Sequence, residues 1–156
     1  MSPRLINRAE AQFKQSDRRR EGGLVFEYSL DVFLKDASPY GTVYFARFFE
    51  WQGMCREAFW QHCLMPTSPP PTLQLITKSA SMEYITAAYP FRKVVVYLSV
   101  MRVRPASTVL YISCYDGLSH QLLADGFQTI VFADATRSAI VIPPPIRQVL
   151  TTYILD

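Results

Sequence analysis

The run Gly41-Thr42-Val43-Tyr44-Phe45-Ala46-Arg47-Phe48-Phe49-Glu50-Trp51-Gln52-Gly53-Met54-Cys55-Arg56-Glu57-Ala58-Phe59-Trp60-Gln61-His62-Cys63-Leu64 decides the fold of this chain. No proline interrupts residues 42–64, and Met65-Pro66-Thr67-Ser68-Pro69-Pro70-Pro71 stops the segment firmly. A proline ring removes a backbone donor and clashes with the preceding turn. Phe48, Phe49, Trp51, Met54, Phe59, Trp60 and Leu64 leave the segment apolar nearly all round. Such a helix lacks a broad solvent face and is enclosed by other structure. The spacing predicts one long, covered helix over 42–64.

The flanking sequence says what covers it. Upstream, Leu24, Phe26, Tyr28, Leu30 and Val32 alternate with Glu27, Ser29 and Asp31, which is a half-buried strand. Asp36-Ala37-Ser38-Pro39-Tyr40-Gly41 then breaks the alternation with turn residues. Downstream, the stretches 72–88, 91–103, 107–117 and 121–134 are rich in Val, Ile, Thr, Tyr and Phe, with Pro90, Pro105 and Asp116-Gly117 at the breaks. Asp125-Gly126 likewise reads as turn or bulge chemistry. After Pro143-Pro144-Pro145, a short amphipathic tail from Ile146 to Leu155 predicts a final helical turn or two. One strand, one helix and then four strands imply an α+β fold: a long central helix wrapped by a curved, mainly antiparallel five-stranded sheet.

Charge is distributed unevenly. The chain has 156 residues and a formal charge of +3, but six of its basic side chains (Arg4, Arg8, Lys14, Arg18, Arg19, Arg20) lie in residues 1–22 against three acidic ones. The rest balances at ten basic and ten acidic groups, so no basic surplus points to nucleic acid. Residues 1–23 read as a basic, flexible arm and 24–156 as the folded domain. A hydrophobic content of 49% is ample for a core, and no apolar run approaches the roughly 20 residues of a membrane helix. The N-terminus lacks the apolar stretch of a signal peptide, so the expected location is cytoplasmic. Cys55, Cys63 and Cys114 form no C-x-x-C unit and read as reduced thiols, and with only His62 and His120 beside them no metal site is expected.

Two places could carry chemistry. Arg56 falls among Phe49, Gln52, Phe59, Trp60 and Cys63 on the helix, whereas Arg47, Glu50, Glu57 and Gln61 share a polar face. A guanidinium on an apolar face needs a partner. An ion pair to a sheet carboxylate, or a buried stem with its head in water, competes with a catalytic or ligand-binding role. The loop Asp36–Gly41 precedes the helix N-terminus, where free N–H groups can hold an anion or a developing oxyanion. The plain alternative there is a helix cap made by Asp36 or Ser38, with Gly41 allowing the turn.

The segment 41–57, ending in Trp51-Gln52-Gly53-Met54-Cys55-Arg56-Glu57, resembles hotdog-fold thioesterases of the hydroxybenzoyl-CoA thioesterase type. Within them it is most similar to the thioesterases that act beside iterative polyketide synthases in enediyne biosynthesis. Ala124-Asp125-Gly126-Phe127-Gln128-Thr129-Ile130-Val131-Phe132 resembles the last core strand of that family. The likeness spans residues 24–155 in element order, and its specific part is 36–60. Acyl-CoA hydrolases of this type carry a carboxylate three residues before the loop glycine, while the enediyne group has asparagine there and relies on a helix arginine. Aligned on Gly41, these positions are Ser38 and Arg56. Asp36 lies two residues too early for the carboxylate role, and no resident base activates Ser38.

The resemblance implies thioester hydrolysis without a cofactor. The substrate would be a β-ketoacyl or polyene chain on the acyl carrier protein of a polyketide synthase, with decarboxylation of the released β-keto acid. Arg56 and Ser38 would be the catalytic pair, Gly41, Tyr44 and Phe45 would supply backbone groups and substrate positioning, and Glu57 would support them. A homo-oligomer, tetramer or dimer, is implied, with no nucleic-acid or membrane partner. The competing readings are a general acyl-CoA thioesterase and a non-catalytic acyl-binding or carrier-docking subunit. Hotdog dehydratases need a histidine near the helix, and none occurs in residues 1–61. Because carrier proteins are generally acidic, deleting residues 1–20 should raise KM for a carrier-bound thioester and spare a small soluble one. An equal loss on both substrates would reject docking by Arg18-Arg19-Arg20.

Overall fold

A computed structural model describes residues 4–7 and 24–155. The chain runs β1 (Arg4–Asn7), β2 (Leu24–Asp31), α1 (Ala46–Phe59), β3 (Gln74–Ala80), β4 (Glu83–Tyr84), β5 (Lys93–Val103), β6 (Ser107–Asp116), β7 (Leu122–Ala133) and α2 (Pro144–Thr152). The strands form one sheet in the order β1-β2-β5-β6-β7-β3, with β4 also pairing with β7. Every ladder is antiparallel. The α+β arrangement expected from the sequence is therefore present, with one long helix against one antiparallel sheet.

Periodicity explains the packing. Phe48, Trp51, Cys55 and Phe59 recur every three or four residues, forming one stripe, and all are buried. They meet the inward residues of the sheet: Val94, Val96, Leu98 and Val100 on β5, Leu110, Ile112 and Cys114 on β6, and Ile130 and Phe132 on β7. Phe26, Leu30 and Val32 complete this core from β2 and the residue after it, as their alternation predicts. From α2, Ile146 and Leu150 close one end, and Tyr153 just beyond it stacks edge-on against Phe59 at 5.0 Å.

Several expectations need correction. Among the described residues the sheet has seven strands rather than five. Residues 4–7 of the arm add an edge strand in register with β2 (Arg4 opposite Glu27, Asn7 opposite Leu24). Residues 8–23, including Arg18-Arg19-Arg20, lie outside the described part. The stretch 72–88 is not one strand. It breaks at Ser81-Met82 into β3 and β4, because the Ser81 N–H bonds the Phe127 carbonyl while its own carbonyl turns toward the helix.

Gly126 is not at a turn. It sits inside β7 opposite Ile112, where the Ser81 backbone crosses so closely that a Cβ would lie 1.8 Å from the Ser81 oxygen. Glycine is required there by close approach.

The helix also differs from its expected form. It begins at Ala46 rather than at 42, since Val43 is tied to the Ala88 carbonyl and Tyr44 to that of Asp36. It ends in a π turn over Trp60–Leu64 and a 3-10 turn over Met65–Thr67 before the prolines. Nor is it enclosed all round: Phe45, Phe49 and Met54 are 56%, 37% and 41% exposed. The sheet covers one face only.

Phe59 lies at the centre of the enclosed face, 2% exposed and edge-on to both Phe26 and Tyr153. Phe59→Ala should therefore cost about 3–5 kcal/mol in denaturant unfolding. A loss under about 1 kcal/mol would place the core elsewhere.

Candidate active site

The loop before α1 is built by backbone bonds. The Ser38 N–H donates to the Thr42 carbonyl (2.7 Å), and the Gly41 N–H donates to that of Ser38 (3.0 Å). Closing so short a loop puts Gly41 at φ +83°, a conformation that glycine adopts without strain. Ser38 Oγ accepts the Tyr40 N–H at 3.3 Å and has no acidic or basic partner among the described residues. Its hydroxyl therefore has no activating base within the loop.

Asp36 is a structural carboxylate. It is 1% exposed and accepts the Phe33 N–H (3.0 Å) and the Lys35 ammonium (2.8 Å), with Arg47 Nε 3.9 Å away. Burial pushes its carboxyl up, but the hydrogen bonds from Lys35 and Phe33 and the charges of Lys35 and Arg47 hold it below the ordinary value.

The Asp36 carbonyl also accepts the Tyr44 N–H at 2.9 Å. That corrects one expectation: the Tyr44 N–H is committed and cannot serve an oxyanion. The N–H groups of Phe45 and Ala46, at the first turn, have no acceptor among the described residues. Next to this turn is a cleft of about 270 Å³ lined by Thr42, Val43, Phe45, Phe48, Tyr84 and residues 85–88. The Tyr84 hydroxyl holds the Phe45 carbonyl at 2.8 Å.

Arg56 lies elsewhere. It is ten residues beyond Ala46, about 15 Å along the axis at the rise of an α-helix. Within one chain the structure brings Ser38, Gly41, Tyr44 and Phe45 together and leaves Arg56 apart from them. The ion pair considered for Arg56 is absent, for no carboxylate pairs with it among the described residues. Its Nη1 donates to the Thr77 hydroxyl and, at 3.3 Å, to Gln128 Oε1.

Beside Arg56, Phe59, Trp60, Leu64, Leu75, Leu110 and Phe132 line an apolar crevice. Its free volume of about 10 Å³ is room for at most one water. Glu57 is exposed on the polar face and makes no hydrogen bond or ion pair among the described residues.

Three residues that sequence reasoning did not single out surround Arg56: Thr77, Gln128 and Gln52. Gln52 and Gln128 are 0% and 4% exposed, and Gln128 Nε2 donates to Gln52 Oε1 at 2.8 Å. The available signal was a glutamine one helical turn before Arg56, on the same apolar face. The thiols are inert by comparison: burial raises Cys55 well above its ordinary value, and burial with the nearby Asp125 charge pushes Cys114 up to about 12. His62 and His120 are both exposed, the latter in the β6–β7 turn. Among the described residues no group of His, Cys, Asp or Glu could hold a metal ion. None of the described helices is long and apolar enough to cross a membrane.

Comparisons place this geometry among known proteins. A family model described as "Thioesterase-like superfamily" matches residues 32–150. Among solved structures, the dynemicin thioesterase, which binds a polyene, superposes with a TM-score of 0.75 at 22% identity, covering 83% of this chain and 97% of that one. A 1,4-dihydroxy-2-naphthoyl-CoA thioesterase from Synechocystis gives 0.69 at 22% identity, covering 81% and 96%. A predicted thioesterase from Bacillus stearothermophilus gives 0.75 at 17%, covering 83% and 96%. At these identities the structures establish the shared hotdog fold. A search of curated proteins finds no match.

The Asp36 carboxylate yields a stability prediction with a definite sign. Its folded pKa is depressed, so its stabilisation is complete above the unfolded value of about 3.9 and is lost as pH falls through the folded value. Asp36→Asn should lower Tm at pH 7, and the gap to wild type should stay constant down to about pH 5 and close below about pH 4. A gap persisting at pH 2 would show that the charge is not its source.

Proposed function

The chain belongs to the thioesterase-like superfamily and is a thioester hydrolase on the hotdog fold; from that premise we propose that its substrate is a β-ketoacyl or polyene thioester borne by an acyl carrier protein in enediyne-type polyketide biosynthesis. The observation that carries this reading is the guanidinium of Arg56, bonded among the described residues only to neutral acceptors and placed at an apolar crevice. A cation without a resident counter-charge suits an anion that appears during the reaction. The apolar walls beside it suit a hydrocarbon chain once they part to admit it.

In this mechanism water attacks the thioester carbonyl while Arg56 stabilises the developing oxyanion together with the N–H groups of Phe45 and Ala46, in place of the committed Tyr44 N–H. Ser38 positions the thioester or the water. Gly41 shapes the loop, while the rings of Tyr44 and Phe45 line the approach. Collapse of the tetrahedral intermediate expels the carrier thiol, which takes one of the water protons while the other passes to solvent, and leaves a carboxylate that Arg56 then holds. For a β-keto acid, the C–C bond to that carboxylate then breaks, CO₂ leaves, and the electron pair passes into the ketone as an enolate, which takes a proton from solvent. Glu57 is too exposed for a direct part and acts at most through solvent.

Because about 15 Å of helix separates the loop from Arg56, the complete site joins the loop of one protomer to Arg56 of another in a homo-oligomer. The exposed Phe45, Phe49 and Met54 supply apolar surface for that contact.

The test is single-turnover hydrolysis of a β-ketoacyl carrier-protein thioester. Arg56→Ala should slow it by 100-fold or more, on the order of a lost oxyanion donor. Ser38→Ala should slow it about tenfold, the cost of one neutral hydrogen bond. Full rate in Arg56→Ala rejects the mechanism. Tight acyl binding without turnover in wild type would identify an acyl-binding subunit instead. Faster turnover of CoA thioesters than of carrier-bound ones would identify a general acyl-CoA thioesterase.

A further inference from the structure

Buried glutamines at Gln52 and Gln128 need an explanation. Both are nearly inaccessible, and leaving an amide unpaired in a core costs a few kcal/mol. They form a continuous line of hydrogen bonds. Gln52 Nε2 donates to the Ser81 carbonyl at 3.0 Å, Gln128 Nε2 donates to Gln52 Oε1 at 2.8 Å, and Arg56 Nη1 donates to Gln128 Oε1 at 3.3 Å.

The direction of this line is fixed by its two ends. A backbone carbonyl can only accept, so Gln52 must turn its amide nitrogen to Ser81 and its oxygen to Gln128. A guanidinium can only donate, so Gln128 must turn its oxygen to Arg56. Flipping either amide would set donor against donor or acceptor against acceptor. The anchor is itself held in place: the Ser81 carbonyl crosses β7 at Gly126, where any side chain would collide with it. The Phe127 N–H bonds Ser81 Oγ at 3.2 Å, and the Ser81 N–H bonds the Phe127 carbonyl at 2.9 Å.

All these partners are neutral. They engage Nη1 and spend none of the charge on Arg56. Its Nε and Nη2 make no hydrogen bond or ion pair among the described residues, and these two atoms form the edge that grips a carboxylate in a bidentate fork. The apolar crevice begins beside that same guanidinium.

We propose that Gln52 and Gln128 are positioning residues, a neutral amide relay anchored on Ser81 and Gly126 that fixes the Arg56 guanidinium while leaving its Nε–Nη2 edge free for a linear carboxylate. This deepens the reading of Arg56 as the group that holds the carboxylate, and rests on it. A carboxylate in the cradle would neutralise the site from within, which accounts for amides rather than acids at both positions.

The experiment uses the full chain and two probes of equal length, decanoate and decanol, with binding measured by calorimetry. Wild type should bind decanoate at least tenfold more tightly than decanol. Gln128→Glu, which is isosteric and places an anion against Nη1, should reduce that preference below threefold, and should also lower Tm because a carboxylate oxygen then faces Gln52 Oε1. Gln128→Leu should reduce it similarly, and kcat for a decanoyl thioester should fall at least tenfold in both variants while KM changes less than threefold. If Leu unfolds the chain, Glu alone decides.

No decanoate preference in wild type, or full preference and kcat in Gln128→Glu, overturns the relay. If Arg56→Ala remains fully active while Gln128→Glu loses the preference, the relay stands as a carboxylate site and the catalytic role of Arg56 falls instead.

Discussion

Burial of one stripe of α1 governs the rest of this molecule. Phe48, Trp51, Cys55 and Phe59 present a continuous apolar surface, and only a sheet wide enough to curve around it removes that surface from water. Four long antiparallel strands supply the curve. Once the helix is seated, its N-terminus meets the loop 36–45 and its second half meets β3 and β7. Both groups of candidate residues are consequences of that seating. Arg56 reaches Thr77 and Gln128 because it lies next to the stripe, at its border with the sheet edge.

Much of this was legible in the sequence, for identifiable reasons. Period-two alternation from Leu24 to Val32 and the long Val, Ile and Tyr runs gave strands that the structure contains. The proline cluster after Leu64 gave the helix end to within a few residues. What failed depended on contacts far apart in sequence. The Ser81-Met82 break carries no proline or glycine of its own; its cause is Gly126, 45 residues later, together with the carbonyl that Gln52 requires. Asp125-Gly126 was read as turn or bulge chemistry within the 121–134 stretch, because a glycine allowing another backbone to cross looks, in one dimension, like a glycine allowing a bend.

The candidate site was partly readable in the same sense. Ser38, Gly41, Phe45 and Arg56 can be singled out from local pattern and family likeness. Local pattern could not show that the Tyr44 N–H is consumed by the Asp36 carbonyl, since that bond closes a loop across eight residues. Nor could it show that the partners of Arg56 are amides, because Gln128 comes from the last strand, 72 residues away. Polar residues in a core are the positions where sequence reads least well, as each is explained only by the group it meets.

The crevice beside Arg56 is shut, and a shut crevice sorts its guests in a particular way. Parting Phe59, Trp60, Leu75 and Phe132 from one another takes a fixed free energy, independent of what goes in. The return grows with the guest, at about 0.8 kcal/mol for each methylene removed from water. A fixed opening cost would lower the affinity of every chain by the same factor, so it would set the shortest chain that binds measurably while each further methylene still adds the same increment as in an open pocket.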